Sequence, residues 1–292
     1  MGIADVRRFN RTVTQRIGAL SDTYMARDRP LGQARVLWEI GPDGCDVRSL
    51  RSRLDLDSGY LSRLLRTLES DGLVEVEQSG DDGRVRTARL TARGLAERTV
   101  LDRRSDELAA SILEPLSESQ RTRLITAMGE VERLLTASTV TVGIVDPRHQ
   151  DAQYCLQSYF EELADRFDGG FDHARSISAG VDELTPPSGL LLVATLHSAP
   201  VGCGALKFPA NSPAEVKRMW VSPEVRGLGL GRRLLAELEK QAVAHGSAVL
   251  RLETNRSLTE AIALYRATGY TEVPAFNTEP YAHHWFEKHL TS

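Results

Sequence analysis

The sequence predicts two domains: a mainly α domain carrying a β-hairpin over residues 1–138, and a mixed α/β domain over residues 139–292. Three observations predict this. A chain of 292 residues exceeds what one hydrophobic core ordinarily spans. The first 138 residues hold 22 arginines, no lysine and 22 acidic residues, whereas the rest holds all four lysines and a net charge of −4; only Phe9, Tyr24, Trp38 and Tyr60 among the aromatics precede Thr139. The apolar period is helical through most of the first part and alternates between strand and helix in the second. With 41% hydrophobic and 26% charged residues the chain is not disordered, and it lacks the ~20-residue apolar run of a membrane helix, so no membrane partner is expected. MGIADVRRFN has no signal-peptide h-region, which predicts a cytoplasmic location. Cys45, Cys155 and Cys203 are odd in number and far apart, and read as buried apolar residues rather than a disulfide or metal framework.

Ile3, Val6, Phe9, Val13, Ile17, Leu20 and Tyr24 recur every three or four residues and predict a helix over 3–24. Pro30 opens a second helix that Gly41 and Pro42 close, and a third runs from about Val47 to Leu54. In the fourth, Asp57 or Ser58 caps, Leu61, Leu64, Leu65 and Leu68 form the buried face, and Gly72 stops the helix. Ser58, Tyr60, Ser62, Arg63, Arg66 and Thr67 lie on its outer part. GLVEVEQ and RVRTARLT alternate about the turn SGDDG and predict a hairpin. Arg84, Arg86, Arg89 and Arg93 fall on or after it with no acid among them, either as a nucleic-acid surface or as a solvated face. Helices follow at about 92–113 and 117–135, then a linker at Thr136–Thr139.

Helix, turn, polar-faced helix and basic hairpin make a winged helix-turn-helix, whose second helix enters a major groove. On Asp82, Arg84, Leu90, Thr91 and Gly94, residues 3–137 resemble the MarR family of dimeric transcription regulators. The resemblance implies double-stranded DNA as a partner, contacts from Ser58, Tyr60, Ser62, Arg63, Arg66, Arg84 and Arg86, and a homodimer formed by the first and last helices. The zero net charge also leaves open a dimerisation scaffold without DNA affinity.

In the second part a strand (TVTVGIVDP), a helix (QDAQYCLQSYFEELADRF) and a Gly- and Pro-rich loop precede the hairpin LLLVATL/VGCGALKF and the strand EVKRMWVS. RGLGLGRRLLAELEKQAVAHG is a glycine turn running into a helix; AVLRLET, TEAIALYRATG, YTEV and HWFEKHL complete a strand-helix-strand-strand ending. Backbone amides at a helix start, bared by glycine, form a phosphate site. No Lys-Ser or Lys-Thr follows, as a nucleoside-triphosphate loop requires, and neither Gly227 nor Gly229 begins a GxGxxG.

Arg226-x-x-Gly229-x-Gly231 instead matches the pyrophosphate loop of the GNAT superfamily of acyl-CoA-dependent N-acyltransferases, which residues 140–290 resemble. The resemblance implies acetyl-CoA as acyl donor, held by the loop Arg226, Gly227, Leu228, Gly229, Leu230, Gly231 and Arg232 and by main-chain groups at Met219, Trp220 and Val221. It implies cofactor contact at Asn255, protonation of the leaving thiolate by Tyr265, and Glu215 as the base that deprotonates an amine. Tyr159, Glu162, Phe171 and Tyr281 are candidate acceptor residues. His283, His284 and His289 lack metal-site spacing, so no metal is expected.

Together these expectations describe a winged helix-turn-helix regulator fused to a mixed α/β N-acetyltransferase for a small-molecule amine. The alternatives are a regulator whose second domain only senses acetyl-CoA or a metabolite, and a protein acetyltransferase.

Overall fold

The computed structural model describes residues 2–20, 25, 29–79, 85–177, 179–210 and 212–290, and the chain divides into two compact units, residues 1–129 and 130–292. The first unit holds α1 (Ile3–Arg16), α2 (Leu31–Ile40), α3 (Val47–Leu54), α4 (Ser58–Ser70), α5 (Ala92–Leu113) and the start of α6 (Glu118–Thr139). A sheet of β1 (Cys45–Asp46), β3 (Val85–Leu90) and β2 (Val74–Ser79), in that order, accompanies them. Side-chain oxygens set three helix starts: Asp46 accepts from Ser49 N and Asp57 from Tyr60 N, both at 2.8 Å, and Thr91 accepts from Gly94 N at 3.0 Å. Each satisfies a first-turn N–H with no partner inside the helix. Leu37, Leu50, Leu61, Leu65 and Leu68 are fully buried, each contributing about 1.5–3 kcal/mol by leaving water.

Three expectations change. The first helix ends at Arg16 rather than at residue 24, because Gly18 takes a left-handed φ of +70° that an α-helix cannot contain; Tyr24 lies outside the described residues. No residue of α1 is buried among the described residues, and Ile3 and Val6 are each 58% exposed. The linker at Thr136–Thr139 is helix, since α6 runs through Thr139. Its hydroxyls bond back one turn, Ser138 Oγ to Leu135 O and Thr139 Oγ1 to Thr136 O at 2.8 Å, so a Ser/Thr run that reads as loop is accommodated in the last turn. The hairpin also gains β1, paired to β3 at Cys45↔Ala88 and Asp46↔Thr87.

The second unit is a seven-stranded sheet in the order β4-β5-β6-β7-β8-β10-β9. Its strands are β4 (Thr141–Ile144), β5 (Gly189–Leu196), β6 (Ala199–Lys207), β7 (Ala214–Val221), β8 (Val249–Thr254), β9 (Thr271–Val273) and β10 (His284–His289). Neighbours are antiparallel except β7 and β8. One apolar cluster joins Leu234, Leu235 and Leu238 of α8 (Leu230–Ala244) and Ile262 of α9 (Thr259–Ala267) to Leu250, Leu252 and Phe286. Another joins Ala152 and Cys155 of α7 (Gln150–Arg166) to Leu191, Val193 and Cys203. Helices thus cover both faces of the sheet. The cysteines are free; Cys155 and Cys203 are buried, and Cys45 is half-buried. Among the described residues no helix is long and apolar enough to cross a membrane.

Candidate functional site

β7 and β8 carry the geometry of the site. They pair in parallel only at Ala214↔Leu250 and Glu215↔Arg251 and then part. The parting coincides with an irregularity in β7: its register against β6 shifts between Cys203 and Ala205, and Arg218 takes φ +59°. A bulge bends its strand, and here the main chain beyond Arg218 is released from β8.

A cleft of about 470 Å³ opens there, lined by Met219, Trp220 and Val221 of β7, by Arg226, Gly227 and Gly229–Arg232, and by Tyr265 of α9. Leu228 of the same loop turns into the apolar core. The glycines differ in purpose. Gly227 and Gly229 take φ of +82° and +76°, and a Cβ on either would meet open space; they shape the backbone and leave room for a group to approach the amides at the start of α8. Gly231 has an ordinary φ, and a Cβ there would sit 3.3 Å from Leu264, so its smallness serves the packing of α8 against α9.

Glu162 sits on this wider cleft. Its Oε2 accepts from Trp220 Nε1 at 3.0 Å and Arg226 Nη2 at 2.5 Å, and its Oε1 from Arg166 at 3.0 Å. Three donors engage the carboxylate, so it clasps α7 to β7 and the glycine loop.

A smaller inner cavity, about 100 Å³, shares Tyr159, Leu163, Met219 and Tyr265 with the cleft. Tyr159, Phe171 and Tyr281, far apart in the sequence, meet on it. Phe171 lies 4.9 Å from the Tyr281 ring, and the Tyr281 hydroxyl accepts from Asp172 N at 2.9 Å. Buried Glu279 ties the two loops together, its Oε2 accepting from Ser176 Oγ at 3.0 Å and Ile177 N at 2.6 Å. Asn255 lines this inner cavity rather than the wider cleft. Its amide is engaged at both ends, donating to Tyr281 O at 2.7 Å and accepting from Ser257 N at 2.9 Å.

Tyr265 is 5% exposed. Burial, with the nearby Tyr159 and Glu253 adding to it, pushes its phenol well above the ordinary tyrosine value, so the hydroxyl stays protonated. Glu215 pairs with Lys217 at 3.0 Å and is absent from the lining of both cavities. Glu253, which the sequence reading missed, lines the inner cavity and also holds Lys217. Burial opposes the Lys217 ammonium, but the two carboxylates outweigh it and hold its pKa above the usual lysine value. The missed signal was alternation: in Val249–Thr254 burial falls on Leu250, Leu252 and Thr254, which puts Arg251 and Glu253 on the opposite face.

A model of the acetyltransferase (GNAT) family matches residues 156–270. Over 127 residues the chain is 38% identical to an IAA acetyltransferase of Azospirillum brasilense, a match spanning 43% of this chain and 82% of that one. This chain belongs to the GNAT acetyltransferase family. The GNAT chain is also 38% identical over 101 residues to an uncharacterised N-acetyltransferase of Schizosaccharomyces pombe, covering 34% of this chain and 58% of that protein. A solved structure assigned as an acyl-CoA N-acyltransferase of Klebsiella pneumoniae has a TM-score of 0.44 and 28% identity, covering 52% of this chain and 98% of its own. Acetyl-CoA use is general to GNAT enzymes, and this one is an acyltransferase. A model of the MarR family matches residues 28–85, so the GNAT acetyltransferase carries a MarR family domain.

In that domain Ser58, Tyr60, Arg63 and Arg66 are exposed and Ser62 is half-buried. The Arg63 guanidinium lies 5.6 Å from the Tyr60 ring centroid. Arg86 is exposed on β3, while Arg89 donates to Asp43 O at 2.9 Å and braces the sheet. Asp82 and Arg84 lie outside the described residues. Among the described residues no group of three or more His, Cys, Asp or Glu is placed to hold a metal ion.

Proposed function

We propose that this protein transfers the acetyl group of acetyl-CoA to the amine of a small molecule, and that residues 1–138 form a dimeric, DNA-binding domain joined to a transferase of residues 139–292 in the cytoplasm. The observation that carries the reading is the parting of β7 and β8 directly beside the amides of Gly227–Arg232.

The residues fit the donor. Two left-handed glycines with open space over their Cα atoms, at the start of a 15-residue helix, suit a pyrophosphate. The main chain of Met219–Val221, no longer paired with β8, is offered to a pantetheine arm. The protonated Tyr265 hydroxyl is suited to give a proton to the departing thiolate, and Asn255 acts by fixing Tyr281 and the turn into α9. When bound, acetyl-CoA supplies an activated acyl group; the chain orients it and receives the amine's proton.

The inner cavity supports a small acceptor, because Tyr159, Phe171 and Tyr281 line it and Glu279 ties the loops around it. Such a site excludes water and gains rate from positioning two bound reactants. Glu162 holds the clasp and not the acceptor. In the first part, the exposed apolar residues Ile3, Val6, Phe9, Met128 and Leu135 suit a second copy, and the exposed polar face of α4 suits a DNA groove.

The test is CoA release from acetyl-CoA by the purified full chain against a panel of amines, amino acids and aminoglycosides. Turnover of a member supports the reading. Tight acetyl-CoA binding without turnover of any of them overturns it in favour of a sensor.

A further inference from the structure

We propose that Glu253, rather than Glu215, is the group that takes the proton from the acceptor amine, with Glu215 acting through Lys217 as a positioning residue. This rests on the acetyl-transfer reading above and deepens it.

Glu253 is on β8 at the point where β7 has parted from it, its side chain is 9% exposed, and it lines the inner cavity. Its Oε1 is held by Lys217, while Oε2 is buried and has no hydrogen-bond partner among the described residues. A buried acceptor oxygen left unpaired is costly, and the cavity it borders is where a donor would satisfy it. A substrate ammonium is such a donor. Glu215 lacks this access: its carboxylate meets Lys217 at 3.0 Å and lines neither cavity.

The charge balance explains why three ionised groups stand in a row. Glu215, Lys217 and Glu253 together carry one negative charge, which a substrate ammonium neutralises on entry. Proton transfer then leaves a neutral amine beside neutral Glu253, while Lys217 keeps Glu215 as its counter-ion. Lys217 keeps a carboxylate beside it throughout, and a desolvated ammonium-carboxylate pair favours that transfer, because both groups lose a charge that water no longer supports. The other titratable groups that line the same cavity among the described residues are Arg218 on β7, Tyr159 on α7, Tyr265 on α9, and Glu279 and Tyr281 on the loop before β10. On β10 its partner is Trp285, which does not titrate, and Glu287 is taken by Arg251 at 2.7 Å.

The reaction balances. One ammonium proton passes to Glu253 Oε2; the amine's lone pair forms the new C–N bond to the acyl carbon. The C–S bond breaks with its electron pair on sulfur. The nitrogen's surplus proton, or that of Tyr265 with later replacement from the nitrogen, restores the thiol, and Glu253 returns its proton to water.

The experiment compares wild type, Glu253→Gln and Glu215→Gln in the full chain. Calorimetry first measures binding of acetyl-CoA, and binding of n-butylammonium to the CoA-saturated protein. CoA release is then followed from pH 5.5 to 9 with whichever primary amine of the panel the wild type uses best. Glu253→Gln is expected to bind acetyl-CoA within a few-fold of wild type, to weaken n-butylammonium at least ~10-fold, and to lose ~10² or more in kcat/KM together with the rising acid limb. Glu215→Gln is expected to keep that limb but move it to lower pH, since removing a neighbouring negative charge favours the carboxylate form. An acid limb that survives in Glu253→Gln and vanishes in Glu215→Gln overturns the proposal. If the wild type turns over no amine, the acetyl-transfer reading fails instead. In that event n-butylammonium binding that depends on Glu253 still upholds its ammonium site, and binding indifferent to it overturns both.

Discussion

The Glu162 carboxylate accepts a hydrogen bond from Arg226 at 2.5 Å, and this single contact ties α7 to the loop that opens α8. The same carboxylate holds Trp220 Nε1, so it also fixes β7 beyond the bulge, and three segments of the wider cleft meet on one side chain. Glu162→Ala has two opposed effects. Loss of a negative charge beside the loop favours an anionic ligand, but by little, since Arg226 is 41% exposed and screened. Loss of the clasp releases a loop that must be ordered again on binding. The second effect dominates, and acetyl-CoA affinity is expected to fall about 10-fold, close to 1.4 kcal/mol. Calorimetry checks it; tighter binding by the variant would mean that charge outweighs preorganisation.

Gly229→Glu tests the phosphate loop itself. At φ +76° any L-residue is strained by about 1–2 kcal/mol, and a carboxylate would occupy the open space beside the amides. Acetyl-CoA binding is expected to be lost in Gly229→Glu and weakened about 10-fold in Gly229→Ala, with Tm of the second unit lowered only by the few degrees that the backbone strain costs, because no protein atom lies within 4 Å of the added Cβ. Unchanged affinity in both variants would remove the loop from the donor site.

Gly94 is a different case. Its φ is ordinary, but a Cβ there would lie 2.0 Å from the Leu73 carbonyl oxygen, so backbone must move. Gly94→Ala is expected to cost about 3 kcal/mol and lower the urea midpoint of the first unit. Thr91→Ala, which removes the α5 cap and the Thr91 Oγ1–Gly72 O bond of 2.7 Å, is expected to cost about 1 kcal/mol. Equal midpoints in wild type and Gly94→Ala would show that α5 is free to move off the hairpin.

Tyr265→Phe separates proton donation from packing. The ring, 5.9 Å from both Tyr270 and Phe286, remains in the variant, so stability changes little. Burial raises the phenol pKa in the native fold, so the hydroxyl is a proton donor across the working range and contributes no alkaline limb of its own. The variant is expected to lose about 10- to 10²-fold in kcat with the pH profile otherwise unchanged. Turnover at the wild-type rate would assign thiolate protonation to water or the amine.

The elements were legible where one local signal sufficed. Asp57 with Leu61, Leu64, Leu65 and Leu68 fixed α4, and Gly227 and Gly229 announced the loop before α8. The parting of β7 and β8 was not legible, because it coincides with a bulge at Arg218 that shows only in the pairing of β7 with β6. Alternation alone places Glu253 on the face of β8 opposite Leu250 and Leu252, but that this face borders a cavity follows only from the parting. The Thr136–Thr139 run misled because hydroxyl-rich composition suits both a loop and a helix end, and the i−3 bonds that decide between them are invisible in composition.

The DNA reading meets the objection that residues 1–138 carry no net charge. Several of the acids, however, are paired with arginines outside α4. Glu39 takes Arg35 and Arg53, Glu97 takes Arg29, Glu107 takes Arg103 and Arg104, and Glu130 takes Arg133. Among the described residues Arg63, Arg66 and Arg86 enter no ion pair of this kind, and they are exposed. A duplex selected by the full chain from random oligonucleotides is therefore expected to be a near-palindrome with half-sites about one helical turn apart, bound by a dimer in sedimentation. Each phosphate contact contributes about 0.9 to the slope of log K against log salt, so Arg63→Ala with Arg66→Ala should flatten that slope by roughly 2 if both arginines meet phosphates. If one of them reads a base, the slope should change by about 1, and preference at that base should relax. Arg89→Ala should instead lower stability, since its guanidinium braces the Asp43 carbonyl. A full chain that sediments as a monomer, or whose affinity for every selected duplex ignores salt, would leave the first unit without a DNA-binding role.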